Sequence, residues 1–194
     1  MVYIEGFLTE FESDYLKQLA NPLYEESEVR KYEDDGSKTV NIDRNHRKSD
    51  TAWLPSEDPV VSCVRERAAE FEGYAPANGT MDALAAVRYK PGGRFGMHHD
   101  WDTDRKKDVD RPWGNSKRFG RPWCRWTDCD FEGDGVAVRP IKGNALFWVN
   151  FREDGTGIHE TIHAGQPLLE GTKIGMNIWT HGLIGAEGGG LRDD

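Results

Sequence analysis

The chain has 194 residues, 34 acidic against 25 basic side chains, and a formal charge of −9. This length suits one domain with its own core, and 37% hydrophobic with 30% charged residues is the composition of a soluble globular protein. Net acidity argues against broad binding to a nucleic-acid backbone, and no apolar run approaches the roughly 20 residues that span a bilayer.

The N-terminus, Met1-Val2-Tyr3-Ile4-Glu5, lacks a basic region followed by a long apolar stretch. No signal peptide is read there, so a cytoplasmic location is the default expectation. Val2-Tyr3-Ile4 is a short predicted strand. Thr9-Glu10-Phe11-Glu12 is a capping-box pattern, in which Thr and Glu satisfy each other's orphan donors. Phe11, Tyr15, Leu16 and Leu19 then fall on one helical face, and Asn21-Pro22 ends the helix. Residues 25–52 are polar and carry the turn cluster Asp34-Asp35-Gly36-Ser37. Asp58-Pro59 opens a second helix with an N-cap and a Pro at the first helical position. Its apolar stripe is Val60, Val61, Val64, Ala68 and Phe71, and Arg65, Glu66, Arg67 and Glu70 read as a solvated face.

From residue 81 the pattern changes to short strands with Gly-rich turns. Strands are predicted over 84–89, 94–100, 135–140, 145–151, 159–164 and 173–180. Their spacing suggests a sandwich, a barrel or a jelly roll. Residues 102–130 carry two Arg-Pro-Trp triplets, many charges and no alternating apolar run. A loop of that length inside a compact domain is unusual. Cys124 and Cys129 fit either free thiols or one local bridge, and no second pair completes a zinc cluster. The tail, 185–194, is Gly-rich and acidic and is expected to be disordered.

The most informative segment is Tyr89-Lys-Pro-Gly-Gly-Arg-Phe-Gly-Met-His98-His99-Asp100. Side chains alternate faces along a strand, so His98 and Asp100 point one way and His99 the other. On its own, His-x-Asp also fits a hydrogen-bonded surface pair. With His163 as third ligand it becomes a two-His, one-carboxylate facial triad, which leaves three positions open on an octahedral ion. That donor set suits non-haem Fe(II) oxygenases. Lys173 lies on a following strand, on the face of Gly175, Asn177 and Trp179 and opposite Ile174, Met176 and Ile178. A lysine buried there needs an anion, and a carboxylate of 2-oxoglutarate would serve; an edge-strand lysine is the plainer reading. His46, His159 and His181 show no partner spacing.

With these residues in view, the chain resembles the prolyl 4-hydroxylase family of Fe(II)/2-oxoglutarate dioxygenases, especially its fungal single-domain members. The resemblance rests on Val2-Tyr-Ile-Glu-Gly-Phe-Leu-Thr-Glu, Arg47-Lys-Ser-Asp-Thr-Ala-Trp-Leu-Pro, Glu57-Asp-Pro-Val-Val, Tyr89 to Asp100, Lys142-Gly-Asn-Ala-Leu-Phe-Trp, and His163 to Trp179. Cys124-Arg-Trp-Thr-Asp-Cys129-Asp resembles an insertion of fungal members. The resemblance implies His98, Asp100 and His163 as catalytic iron ligands, and Lys173 and Tyr89 on the 2-oxoglutarate carboxylate. Trp179 matches a pocket aromatic, a place where a core Trp fits equally well. Phe95 stands where many relatives have a second tyrosine.

The implied fold is α+β. Residues 1–80 form helical support and 81–184 a double-stranded β-helix (jelly roll). The implied cofactors are Fe(II), 2-oxoglutarate and ascorbate. The implied reaction hydroxylates a proline of a peptide or protein with O2 and releases succinate and CO2. Many relatives act in the secretory pathway behind a signal or anchor. The chain departs from the family after Asp100. Residues 102–121 contain neither of two expected apolar strands, and Arg118 is the nearest match to a substrate-contacting arginine. The barrel is therefore expected to be two strands short. The rival expectation is an impaired relative acting as a binding protein on an incomplete barrel. A nucleic-acid demethylase is disfavoured by the charge and by lysine where those relatives use arginine. A zinc hydrolase is disfavoured by the absence of His-Glu-x-x-His.

Overall fold

A computed structural model of the chain describes residues 1–32, 38–73, 81–101, 121–133, 135–152 and 154–180. The turn cluster at 34–37, residues 102–120 of the loop predicted over 102–130, Arg118 with them, His181 and the tail lie outside the described residues.

The chain opens with β1 (Val2–Ile4) and helix α1 (Glu10–Ala20). The capping box forms: Glu12 N–H donates to Thr9 Oγ1 at 3.2 Å, and Thr9 N–H donates to Glu12 Oε2 at 2.8 Å. The inward face of α1 is Glu12, Leu16 and Ala20, whereas Phe11 is 70% exposed. Tyr15, Leu16 and Leu19 of the predicted stripe pack on the core, and Phe11 alone falls outside it. Glu12 turns inward because a cation meets it from helix α2 (Pro59–Glu72): Arg67 Nη2 lies 2.6 Å from Glu12 Oε1. Arg67 also donates to the Phe7 carbonyl at 2.7 Å, and Arg65 donates to the Met81 carbonyl at 3.0 Å. These two arginines are tethers rather than a solvated face. Asp58 caps α2 through the amides of Val60 and Val61. Val61, Val64, Ala68 and Ala69 are its buried residues. Phe71 is half-exposed and meets the Phe147 ring edge-on.

The polar stretch after α1 contains five short strands: β2 (Glu25–Glu26), β3 (Val29–Tyr32), β4 (Lys38–Asn41), β5 (Arg47–Lys48) and β6 (Asp50–Trp53). They lack a run long enough to show period-2 alternation, so their pairing comes from neighbours rather than local pattern. After α2 come β7 (Ala85–Tyr89), β8 (Arg94–His98), β9 (Ala145–Phe147), β10 (His163–Gly165) and β11 (Lys173–Asn177). The main sheet runs β11-β7-β6-β2, a second runs β10-β8-β5, and β1-β9 and β3-β4 form two ribbons. All pairs are antiparallel. No closed barrel forms among the described residues.

Three predicted strands differ. Residues 135–140 contribute a single bridge from Val138 to Thr127. The strand from Ala145 stops at Phe147, opposite Val2, where β1 runs out. His159–Thr161 is a 3-10 turn, and the strand begins at His163. Cys124 and Cys129 are disulfide-bonded. Their loop seats Trp126 against Tyr3, with ring centroids 5.6 Å apart.

The main sheet has two different faces. Ala52, Ala86, Met176 and Ile178 pack with Leu16, Val61 and Val64 of the helices into the principal core. Alternation then turns Thr51, Val87, Tyr89 and Lys173 to the other face, toward the second sheet. Among the described residues no helix is long and apolar enough to cross a membrane.

Arg67's hydrogen bonds hold the Glu12 carboxyl at about 2 against an ordinary 4.5, with Thr9's backbone and side chain adding to the effect. A lowered folded-state pKa gives stability that is complete above pH 4.5 and lost as pH falls toward 2. Because Arg67 is one-third exposed, the contribution is discounted to about 2 kcal/mol. Urea unfolding at pH 7, 4 and 2.5 is expected to show Glu12→Gln most destabilised at pH 7, with the gap to the unsubstituted protein narrowing at pH 4 and smallest at pH 2.5. An equal gap at every pH contradicts the assignment.

Candidate metal centre

The site begins with an irregularity in β8. His98 pairs with His163, but Phe95 pairs with Gly165, so three steps along β8 match two along β10. This is a β-bulge, a device that re-aims side chains next to functional sites. Regular alternation would put Phe95 and His98 on opposite faces. The bulge brings them together, and the two rings stack at 3.7 Å with an interplanar angle of 19°. Gly96 sits inside the bulge. A Cβ there would fall 2.7 Å from Nδ1 of His46.

The two histidines are held alike. His98 Nδ1 lies 2.8 Å from the Gly96 carbonyl, and His163 Nδ1 lies 2.9 Å from the Thr161 carbonyl. A carbonyl can only accept, so each Nδ1 carries the proton and each Nε2 presents a lone pair. Both Nε2 atoms face Asp100: His98 Nε2 is 3.8 Å from Oδ1 and His163 Nε2 is 3.6 Å from Oδ2. One donor atom from each of the three lies within 4.8 Å of the others. Asp100 is largely buried. Burial first, and the neighbouring His163 second, push His98 down to about 3, so it stays a neutral ligand at physiological pH. Two imidazoles and one carboxylate on one side of a cleft fit a divalent first-row metal with open positions opposite. Carbonyl partners on the outer nitrogens are the usual way such ligands are oriented. His99, on the other face, lies 3.2 Å from the His159 carbonyl and packs on Trp101.

The main-sheet face turned toward the second sheet carries a cation. Lys173 pairs directly with Tyr89, and its Nζ stands 4.4 Å over the Tyr89 ring. Burial pushes the ammonium pKa down. No carboxylate meets this ammonium among the described residues. Burial pushes the Tyr89 hydroxyl up. That hydroxyl reaches across to Gly165 on the second sheet, where a Cβ would come within 3.2 Å of it. Trp179 lies toward the far end of the same face, 6.1 Å from Trp53 between ring centroids.

Two residues of the site were not singled out from sequence. Arg47 donates to Ser49 Oγ, Thr51 Oγ1 and the Glu28 carbonyl, and its guanidinium lies 4.4 Å from the Phe95 ring centroid. Trp148 meets the His163 ring edge-on at 5.1 Å. Arg47 sits in a polar stretch with no periodicity, and only the cross-strand pairing of Arg47 with Phe95 brings it to the cleft.

No protein-family model matches the chain. Among characterised proteins it is similar to prolyl 4-hydroxylase subunit alpha-2 of Caenorhabditis elegans, 30% identical over 93% of this chain and 34% of that subunit. Subunit alpha-1 is 29% identical in Rattus norvegicus and 28% in Homo sapiens, with the same coverage. The chain spans about a third of the length of these relatives. Among solved structures it is similar to the viral collagen prolyl hydroxylase of Paramecium bursaria Chlorella virus-1 bound to 2OG. That match has a TM-score of 0.55 and 22% identity, over 92% of this chain and 93% of the other. The chain thus shares its fold with that enzyme.

A buried ammonium without a counterion lowers stability until an anion arrives. Lys173→Met is therefore expected to raise the melting temperature of the protein by a few degrees. A melting temperature below that of the unsubstituted protein contradicts the unpaired-cation account.

Proposed function

From its homology to prolyl 4-hydroxylase alpha subunits, we propose that the chain is an Fe(II)/2-oxoglutarate-dependent dioxygenase that hydroxylates a peptidyl proline. The observation that carries the reading is the convergence of His98, Asp100 and His163, with the half-buried Lys173 on the main-sheet face turned toward their sheet and no carboxylate on it among the described residues. The proposed architecture is one domain over 1–184 with a double-stranded β-helix at its centre.

When bound, Fe(II) with 2-oxoglutarate supplies O2 activation: one oxygen atom goes to succinate as CO2 leaves, and the other becomes the substrate hydroxyl. The rest is the work of side chains. His98, Asp100 and His163 would hold the ion, as a donor set of two imidazoles and one carboxylate that leaves coordination positions free for a cosubstrate. The Nδ1 bonds to Gly96 and Thr161 fix both imidazoles in the tautomer that ligates through Nε2. Lys173 takes the distal carboxylate of 2-oxoglutarate, with the Tyr89 hydroxyl as a second donor. The half-buried face strengthens that ion pair by excluding water. Ascorbate is the proposed reductant for iron oxidised in cycles without peptide.

A second reading, an impaired relative that binds without turnover, is favoured by the absence of a closed barrel among the described residues. One assay separates the two. Purified protein with Fe(II), 2-oxoglutarate, ascorbate and a proline-rich peptide is expected to form succinate and hydroxyproline in equal amounts. His98→Ala and His163→Ala are expected to abolish both products. Lys173→Ala is expected to raise the 2-oxoglutarate KM by about 30-fold or more, as for loss of one partner of a buried charge pair. Metal binding with no succinate under any condition favours the second reading and contradicts the first.

A further inference from the structure

We propose that Phe95 is a positioning residue of this centre: its ring, seated by the β8 bulge and held by Arg47, fixes the plane of the His98 imidazole. The inference rests on the metal-centre reading above and assigns a job to a residue that carries no donor of its own.

A histidine ligand must present Nε2 in one direction, and two side-chain torsions set that direction. The hydrogen bond from Nδ1 to the Gly96 carbonyl anchors one edge of the ring. It leaves tilt about that edge free. The Phe95 ring, 3.7 Å from the imidazole centroid and nearly parallel to it, removes the tilt. Phe95 is itself confined. Arg47 stands directly across the β5–β8 ladder with its guanidinium 4.4 Å from the ring centroid. The His46 ring meets it edge-on at 5.5 Å. At Gly165 a Cβ would press within 3.4 Å of the Phe95 Cβ. Phe95 belongs to neither cluster of the buried core, so its packing is committed to the cleft. His163 meets Trp148 edge-on and the His98 ring at a tilt, and no ring stacks flat on it among the described residues. A flat face is what the role requires. An aliphatic side chain fills most of the volume but has no flat face, so it lets the imidazole rock, and a loosened supporting shell weakens a metal site.

The test uses Co(II) as probe, with affinity from chelator competition and geometry from the ligand-field absorption spectrum. Phe95→Tyr keeps the ring and is expected to bind within about twofold of the unsubstituted protein, with the same spectrum. Phe95→Leu and Phe95→Met remove the flat face. Each is expected to bind about tenfold more weakly, in line with loss of outer-shell support, and with a shifted spectrum. Circular dichroism reports whether each variant folds. Unchanged affinity and spectrum in either folded variant overturns the inference, as does failure of both to fold, which assigns Phe95 to packing alone. If the unsubstituted protein does not bind Co(II), the metal-centre reading fails and this inference with it. Wild-type-like binding by the ringless variants fails the inference alone.

Discussion

In the ladder between β10 and β8, His163 lies opposite His98, and one residue of slip would turn one imidazole out of the cleft. The rest of the site depends on that pairing. It sets Asp100, two residues on, between the two Nε2 atoms. It places the extra residue of the bulge at Gly96 and Met97, so Phe95 reaches the His98 ring. The glycine within the bulge lets His46 approach and offers its carbonyl to Nδ1. Register, bulge and tautomer are thus one local arrangement with three consequences.

The main sheet separates stability from chemistry. Its helix-facing side is a conventional apolar core of Ala, Leu, Val and Met side chains. The Glu12–Arg67 pair and the carbonyl bonds of Arg65 and Arg67 clamp the helices to each other and to the chain entering β7. The opposite side carries Tyr89 and Lys173, a half-buried ammonium with no carboxylate on it among the described residues, which works against folding. Clamping on one side offsets this on the other. Sites shaped for a charged ligand commonly carry such local destabilisation.

Much of this was legible in the sequence. Both helix caps, the apolar face of β11 and the shared face of His98 and Asp100 follow from capping chemistry and alternation; His163 was the best candidate for a third ligand, and Tyr89 beside Lys173 came from the family resemblance. The structure brings His98, Asp100 and His163 within 4.8 Å of one another and sets Lys173 over the Tyr89 ring. The inward turn of Glu12 was not legible, because it needs Arg67 fifty-five residues away. Strands β2 to β6 were not predicted, the stretch over 25–52 being read only as polar with a turn cluster, because two- and four-residue strands carry no periodicity of their own. Arg47 and Phe95 were missed as a pair for the same reason. A bulge breaks strand alternation, and no local pattern in Arg-Phe-Gly-Met-His announces it apart from the glycine. The Cys124–Cys129 bond was one of two open alternatives, and spacing alone does not choose between them.

The central claim is that the three side chains and Lys173 form one site for a metal and its dicarboxylate cosubstrate. A crystal structure of the chain with Mn(II) and 2-oxoglutarate tests it most directly. The account predicts one ion within about 2.0–2.3 Å of Nε2 of His98, Nε2 of His163 and a carboxylate oxygen of Asp100. It also predicts the distal carboxylate of 2-oxoglutarate on the Lys173 ammonium. An ion bound elsewhere, or 2-oxoglutarate ordered away from Lys173 while the three ligands remain unoccupied, would contradict it.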